Sequence, residues 1–283
     1  MTHPAKKPDS NLRVRPLTGA IGAEVIGVDL NQLTEAEWHA IEMAWYEYLV
    51  LFFPGQSLEP ASHIAFASRF GVPEVHPFLP KLDSKHPEIV VLDSEYAVAD
   101  FWHTDLTFTA APPSASILNM VKLPSRGGDT LWLNQYSALA GLAQPMRDLL
   151  SNLSAVHRAP KHPEHEAVHP AVMTHPETGR QYLFVNEKFT SRFVDLSTAE
   201  SEALLKFLFE WVKKPEFQCR YRWDVGTVAV WDNRCTQHYA VNDYDEQRII
   251  QRVTAFDRQT ISSTSVTHTS SGGGHRGPEG VTA

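Results

Sequence analysis

The sequence has little cysteine, and it lacks the segments typical of membrane and nucleotide-binding proteins. Only Cys219 and Cys235 occur among 283 residues, too few for a disulfide framework, so we expect a protein of the reducing cytoplasm. No apolar run approaches the roughly 18 residues that a membrane-spanning helix requires. A glycine-rich dinucleotide fingerprint and a phosphate-binding loop are both missing, which leaves nucleotide cofactors without support.

Positive charge is also scarce. Lys and Arg number 25 against 33 Asp and Glu, and the formal net charge is -8. The basic residues form no run longer than a short pair, so we expect neither nucleic acid nor an anionic membrane as a partner. An anionic small molecule would have to be bound by a few local cations.

Composition and length are those of an ordinary globular protein, with 42% hydrophobic and 20% charged residues. We expect a single domain over residues 11–258, which is long enough to bury a full core. Residues 1–10 and the Ser-, Thr- and Gly-rich tail 259–283 are expected to be disordered, because such composition cannot bury apolar surface.

Many short strands, bounded by turn residues, alternate with a few helices. This pattern predicts a mainly β protein with flanking helices, a double-stranded β-helix or jelly roll. Capping boxes, formed by Thr34 with Glu37 and by Ser197 with Glu200, predict the starts of two helices. Two further helices are expected at 60–70 and 136–153. The predicted strands are 12–17, 23–30, 48–53, 88–93, 102–108, 115–123, 130–134, 154–159, 171–174, 181–186, 217–223, 227–231 and 248–256.

A candidate metal site begins at His103 and Asp105. Residues two apart in a strand lie on the same face, so the imidazole and the carboxylate can reach one ion. A third ligand is expected from the stretch that ends at His238. Two histidines and a carboxylate form the facial triad of non-haem Fe(II) oxygenases. A second group of histidines, within 157–169, has irregular, proline-interrupted spacing, which favours a polar loop over a second metal site.

Two arginines point to an anion. Alternation in the stretch 248–254 places Arg248 and Arg252 on one face of a strand. Arginine stays protonated, and burying it unpaired is costly, so we expect an anionic ligand between them.

The chain resembles the taurine dioxygenase family of iron- and 2-oxoglutarate-dependent enzymes, from about Arg13 to Asp257. The spaced arginines belong to the resemblance, and its other motifs are Trp102-His103-Thr104-Asp105, Gly127-Gly128-Asp129-Thr130-Leu131-Trp132, Leu183-Phe184-Val185-Asn186-Glu187 and Trp231-Asp232-Asn233-Arg234-Cys235-Thr236-Gln237-His238-Tyr239-Ala240.

The resemblance implies roles for seven residues. His103, Asp105 and His238 would bind Fe(II), and O2 would bind beside 2-oxoglutarate on the metal. Thr130 and Arg248 would hold the distal carboxylate of 2-oxoglutarate. Arg252 would reach the other end of the cosubstrate or an acidic substrate group, and His76 a substrate sulfonate.

The implied activity is hydroxylation of a small anionic substrate with release of succinate and CO2. An alkylsulfonate such as taurine, or a sulfate ester, is the first expectation. Two departures from the taurine-cleaving members put taurine in doubt: stretch 97–101 lacks their asparagine, and the lid at 158–166 is short. A short lid suggests an open mouth for a larger or more hydrophobic acid.

Three alternatives stay open on sequence alone. The same chemistry would suit an aryloxyalkanoate or another carboxylic acid, or a natural product. A jelly-roll sensor that binds Zn(II) without catalysis is the alternative from another class. Relatives commonly form dimers or tetramers, so a homodimer or homotetramer is expected.

Overall fold

The computed structural model describes residues 11–76, 79–96 and 99–257. The predicted disordered segments 1–10 and 259–283 lie outside these residues. Five α-helices are formed in the described ranges: α1 (Glu35–Tyr48), α2 (Pro60–Phe70), α3 (Gln135–Ala140), α4 (Gln144–Ser151) and α5 (Thr198–Val212). The strands of the same ranges are β1 (Arg13–Pro16), β2 (Ala23–Ile26), β3 (Val50–Phe53), β4 (Val72–Pro73), β5 (Val90–Asp93), β6 (Ala115–Lys122), β7 (Thr130–Asn134), β8 (Ser154–Ala159), β9 (His162–Pro170), β10 (Val172–Thr174), β11 (Gln181–Leu183), β12 (Thr190–Phe193), β13 (Gln218–Tyr221), β14 (Val228–Asp232), β15 (Thr236–Ala240) and β16 (Ile249–Phe256).

One large sheet forms the first layer of the fold. Its strand order is β1-β2-β3-β14-β6-β16-β4, and β5 also pairs with β16. All of its pairs are antiparallel except β2 with β3. Smaller sheets, of order β13-β7-β15, β12-β8-β9 and β10-β11, form the second layer.

Alternating side chains fill the space between the layers and beneath the helices. Phe52 faces inward and packs against Trp132 and Tyr221 of the small sheets. Its neighbours Leu51 and Phe53 face the opposite way, into a core with α1 and α2. A third core lies between α3, α4, α5 and the outer face of the second layer. Because both faces of β3 are covered, its sequence is a continuous apolar run.

This double-sheet arrangement is the predicted jelly roll, and most predicted elements are present. Both capping boxes form, with Thr34 Oγ1 accepting from Glu37 N and Ser197 Oγ accepting from Glu200 N. The predicted helix 60–70 has the expected bounds. Within the described ranges, no helix combines the length and the apolar character needed to cross a membrane.

The predicted strand 102–108 is wrong. Only His103 pairs as in a sheet, through a single bridge to His238, and the chain then turns at Leu106, whose φ is 53°. The backbone N–H of Asp105 donates to the Asn233 side chain at 2.9 Å, where a strand would use a neighbouring backbone.

The predicted helix 136–153 is divided into α3 and α4. Gly141 caps the end of α3, and Pro145 lies in the first turn of α4. Proline lacks the N–H that a helix interior needs, so it is tolerated only at such a start.

The polar loop expected at 157–169 is also wrong, because β9 pairs with β8 across most of this stretch. β9 is an edge strand with mostly exposed polar side chains, which hide the strand pattern. The edge position also accommodates Pro163 and Pro170.

Candidate active site

His103, Asp105 and His238 converge at one buried point. The backbones of the two histidines exchange hydrogen bonds, His103 N to His238 O at 3.1 Å and His238 N to His103 O at 2.8 Å. This pairing sets the imidazole centroids 4.1 Å apart. Asp105 Oδ1 lies 3.5 Å from His103 Nε2 and 3.9 Å from His238 Nε2. The three side chains could therefore hold one metal ion.

Neighbouring groups orient these side chains. His103 Nδ1 donates to the carbonyl of Phe101 at 2.9 Å, which leaves Nε2 free to face the carboxylate. Ser116 Oγ donates to Asp105 Oδ2 at 3.0 Å, and Arg252 Nη1 lies 3.7 Å from the same oxygen. One carboxylate oxygen is thus occupied by protein donors, while Oδ1 points toward both imidazoles.

The electrostatic surroundings favour the protonation states that a metal requires. Burial alone would raise the pKa of Asp105, but the charge of Arg252 and the two histidines outweigh it and hold that pKa well below its usual range. Burial, with the neighbouring His103, holds the pKa of His238 well below its ordinary value. An ionised carboxylate and a neutral imidazole are the forms that bind metal.

A buried polar cluster fixes the turn that carries Asp105. The hydroxyl of Thr107 lies 2.9 Å from His157 Nδ1 and accepts from Asn186 Nδ2 at 3.1 Å. His169 Nε2 lies 2.9 Å from the Thr107 carbonyl oxygen. Sequence reasoning misses these supports, because nothing in the spacing of His157 and His169 relates them to Thr107.

A second group of metal-ligating side chains, His175, Asp232 and Cys235, is also buried. Its charges are already paired: Asp232 Oδ2 lies 2.7 Å from His175 Nε2 and 2.7 Å from Arg234 Nη2. Arg234 Nη1 reaches Glu177 as well, at 2.8 Å. This network fixes the end of β14, which precedes His238 in the chain. Its charges are balanced without a metal ion. Cys235 packs in the core.

A cavity of about 840 Å³ opens at the triad, and it brings all seven predicted site residues together. Thr130 and Arg248 lie at the cavity wall, with Arg248 Nη2 donating to Thr130 Oγ1 at 3.2 Å. Arg252 and half-buried His76 line the same cavity. Arg248, directly before β16, and Ile250 and Arg252 within β16 all line this cavity, as the alternation predicts.

The hydroxyl of Thr130 is used as an acceptor on its protein side. Trp223 Nε1 donates to it at 3.0 Å and Arg248 Nη2 donates to it as well. With both contacts accepting, the hydroxyl hydrogen remains available to an acceptor in the cavity. A carboxylate oxygen is such an acceptor.

Arg248 is buried without a carboxylate partner in the described part of the chain. Its Nε makes no hydrogen bond, and only 6% of the residue is exposed. The Gly127-Gly128 turn, two residues before Thr130, leaves space for the Arg248 side chain. Both glycines have positive φ, and a Cβ at Gly128 would lie 3.2 Å from Arg248 Cδ. A buried guanidinium that has a free Nε and forms no salt bridge among the described residues fits an anionic ligand in the cavity.

Known proteins share this sequence and architecture. The family described as taurine catabolism dioxygenase TauD, TfdA family matches residues 13–254. The chain belongs to the TauD/TfdA family. It is 39% identical over 280 residues to an alkylsulfatase of Acinetobacter baylyi, covering 90% of this chain and 88% of that protein.

Two further known proteins are about equally similar to this chain. An alpha-ketoglutarate-dependent sulfate ester dioxygenase of Pseudomonas putida is 38% identical, over 86% of this chain and 89% of that protein. The crystal structure of a taurine dioxygenase from Burkholderia xenovorans has a TM-score of 0.81 and 40% identity, covering 87% of this chain and 89% of that one.

Membership of the TauD/TfdA family makes the chain a 2-oxoglutarate-dependent dioxygenase that uses Fe(II), 2-oxoglutarate and O2. The expected enzyme class is confirmed, and the alternative of a non-catalytic sensor is wrong. The site fits these groups: two histidine nitrogens and a carboxylate oxygen suit Fe(II), and the unpaired Arg248 with the Thr130 hydroxyl suits a carboxylate.

Replacing Thr130 with valine should raise the KM for 2-oxoglutarate by about tenfold, because one hydrogen bond to a charged group is lost. Thr130→Ser, which keeps the hydroxyl, should stay within a few-fold of the wild type. Succinate formation at varied 2-oxoglutarate concentration measures both. Equal KM values for the valine variant and the wild type would remove Thr130 from the cosubstrate site.

Proposed function

We propose that this enzyme hydroxylates the carbon that bears the sulfate group of an alkyl sulfate ester. The observation that carries the proposal is a cationic cavity beside the triad, with Arg252 and His76 in its wall. The alkylsulfatase and the sulfate ester dioxygenase named above support the choice of a sulfate ester over other anions.

Within this proposal His103, Asp105 and His238 hold Fe(II), and Thr130 with Arg248 holds the distal carboxylate of 2-oxoglutarate. The guanidinium of Arg248 offers a planar pair of N–H donors, which matches a carboxylate. Arg252 lies 3.7 Å from Asp105 Oδ2, so its donors reach the neighbourhood of the metal. His76 and Arg252 then face the sulfate.

Bound Fe(II) with 2-oxoglutarate and O2 supplies oxidative decarboxylation, which yields succinate and CO2 and places a hydroxyl on the substrate carbon. The protein positions that carbon and excludes water. A carbon that carries both a hydroxyl and a sulfate ester oxygen is unstable. The C–O bond to sulfate breaks, the hydroxyl loses its proton, and an aldehyde and inorganic sulfate leave.

The apolar part of the cavity suits the alkyl chain. Phe101, Leu106, Phe108 and Phe189 line it near the triad, and Phe108 and Phe189 contact each other with ring centroids 5.1 Å apart. A volume of about 840 Å³ accommodates 2-oxoglutarate together with a chain of several carbons. Pro160 and Lys161, at the tip of the β8–β9 hairpin, also line the cavity.

Succinate release under air, with Fe(II), ascorbate and 2-oxoglutarate, tests the proposal across a panel of anions. The panel contains alkyl sulfates of four to twelve carbons, taurine and longer alkylsulfonates, aryloxyacetates and amino acids. We expect alkyl sulfates to stimulate succinate formation most, with one sulfate and one aldehyde per succinate.

Product analysis separates the alternatives. Sulfite in place of sulfate would make alkylsulfonates the substrates, and stimulation by carboxylic acids alone would favour an aryloxyalkanoate. Medium-chain n-alcohols serve as matched neutral controls, and they should leave succinate at its basal rate. Equal stimulation by the alcohols would refute anion recognition.

We further propose a cytoplasmic enzyme that forms a homodimer or homotetramer and binds neither nucleic acid nor membranes. The scarcity of cysteine and the net charge of -8 support the compartment and the expected lack of such partners. Sedimentation of the purified enzyme would measure its oligomeric state.

A further inference from the structure

A lysine that the motifs do not single out lies at the active-site cavity. Lys188 belongs to the segment between β11 and β12, and it lines the same cavity as the triad. Its ammonium lies over two aromatic rings, 3.9 Å from the centroid of Phe101 and 4.9 Å from that of Phe189. Both rings contact the ligand histidine His103, with centroids 5.1 Å and 6.3 Å from the imidazole. The rings of Phe101 and Phe189 therefore separate the ammonium from the His103 imidazole.

Lys188, like Arg248 on the Thr130 side of the cavity, forms no salt bridge with a carboxylate among the described residues. Arg252 shares its charge with Asp105, at 3.7 Å. The neighbouring Glu187 does not serve Lys188, because it pairs with Lys213 at 3.0 Å. Among the described residues, Lys188 forms no salt bridge, and its ammonium lies over the two ring faces.

Partial burial of the Lys188 ammonium without a salt bridge destabilises the protein when no ligand is bound. Lys188 is half-buried, and this burial, with the positive charges of Arg252 and Lys161, lowers its pKa to about 8 despite the attraction of Asp105. The side chain is still mostly protonated at neutral pH. Contacts with ring faces offset part of the lost hydration, and an anion in the cavity would supply the remainder.

The other two donors near the proposed head group, His76 and Arg252, do not supply a full positive charge. Burial, with the positive Arg252, lowers the pKa of His76, so this imidazole offers a neutral hydrogen bond at pH 7. Arg252 is held partly by Asp105. Lys161 and Lys188 are the cavity-lining lysines that form no salt bridge among the described residues, and Lys188 is the one whose ammonium lies over the rings beside His103.

We propose that Lys188 determines substrate specificity by binding the anionic head group of the sulfate ester beside the metal. The inference rests on the proposed function, and it adds a third head-group contact to His76 and Arg252. An ammonium is a compact charge with three rotatable donors, so it can follow the tetrahedral oxygens of a sulfate without the planar match that a carboxylate gives arginine. Phe101 and Phe189 hold the ammonium from below and adjoin the alkyl chain.

Anaerobic calorimetry with n-hexyl sulfate tests the inference on enzyme loaded with Fe(II) and 2-oxoglutarate. Lys188→Met keeps the length of the side chain and removes its charge. We expect its Kd for hexyl sulfate to rise by about ten- to hundredfold, as for the loss of a hydrogen bond to a charged group. Lys188→Arg restores the charge and should recover most of the affinity. The affinity for 2-oxoglutarate should be unchanged in both variants.

Lys214→Met is the matched control. Lys214 also lies over an aromatic ring, 3.6 Å from the centroid of Trp211, and it is not among the residues that line the cavity. Its variant should bind hexyl sulfate as the wild type does.

The outcomes separate the inference from the proposed function. A wild type that binds hexyl sulfate, with equal affinity in Lys188→Met, overturns the role of Lys188 and leaves the proposed function intact. Parallel loss of 2-oxoglutarate and hexyl sulfate affinity in Lys188→Met would mean a general structural defect and would also overturn the role. A wild type that neither binds nor cleaves any sulfate ester overturns the proposed function and the inference together.

Discussion

Replacing Arg248 with methionine should raise the KM for 2-oxoglutarate by about a hundredfold or more. Arg248 is buried, its Nε makes no hydrogen bond, and within the described residues no carboxylate neutralises it. Removing one partner of a buried, hydrogen-bonded charge pair costs on the order of 2 to 5 kcal/mol of binding. Succinate formation at increasing 2-oxoglutarate, with Fe(II) saturating, measures the change.

The same variant should not be less stable in the absence of 2-oxoglutarate. A buried guanidinium without a salt bridge destabilises the empty protein, so methionine of similar length should leave its Tm equal or higher. 2-Oxoglutarate should raise the Tm of the wild type, because it binds only the folded state, and should no longer raise that of Arg248→Met. Arg69→Met, which removes an exposed pair with Glu35, should keep the ligand-induced shift. A full shift in Arg248→Met would contradict the assignment.

The sequence predicts the parts of this site that depend on local pattern. Alternation in the last strand places Arg248 and Arg252 on one face, and the structure has both in the cavity wall. The two glycines before Thr130 are a second feature that local rules explain. They allow a turn with positive φ, and the space above Gly128 is taken by Arg248. Short-range rules of backbone and side-chain direction are enough for these features.

Features set by distant contacts could not be predicted. The stretch after His103 has strand-like composition, yet it turns at Leu106. Its polar groups are bound from distant parts of the chain, since Asn233 accepts from the Asp105 N–H and His157 contacts the Thr107 hydroxyl. His157 belongs to such a support, and its spacing in the sequence gives no indication of it.

The proposed role of Lys188 could not be predicted from the sequence for the same reason. It directly follows the family motif that ends at Glu187, but a lysine between Glu187 and Phe189 looks like an ordinary surface residue in sequence. Only the fold brings Phe101 beneath its ammonium and pairs Glu187 with Lys213. A cation becomes a candidate substrate contact when its nearby carboxylate is already engaged, and that is visible only in three dimensions.

Asp105→Ala should abolish stoichiometric iron binding and lower substrate-dependent succinate formation by at least about a hundredfold. Changes to residues that only support metal ligands already cost about 10- to 100-fold, and Asp105 is expected to be a ligand itself. Its Oδ1 is the atom that faces both imidazoles, and its loss leaves two neutral nitrogens for the metal. Iron content after anaerobic loading and dialysis measures binding, and coupled turnover measures activity.

Removal of Asp105 also leaves Arg252 without the carboxylate 3.7 Å away, so a loss of activity alone could arise from a displaced arginine. Asp105→Asn separates the two effects, because the amide oxygen can still accept from Ser116 and Arg252 while the negative charge is gone. We expect it to fold with a near-normal Tm and to bind iron weakly. Asp148→Ala, at an exposed aspartate of α4, should keep full iron content. Full iron content and activity in both Asp105 variants would place the metal elsewhere.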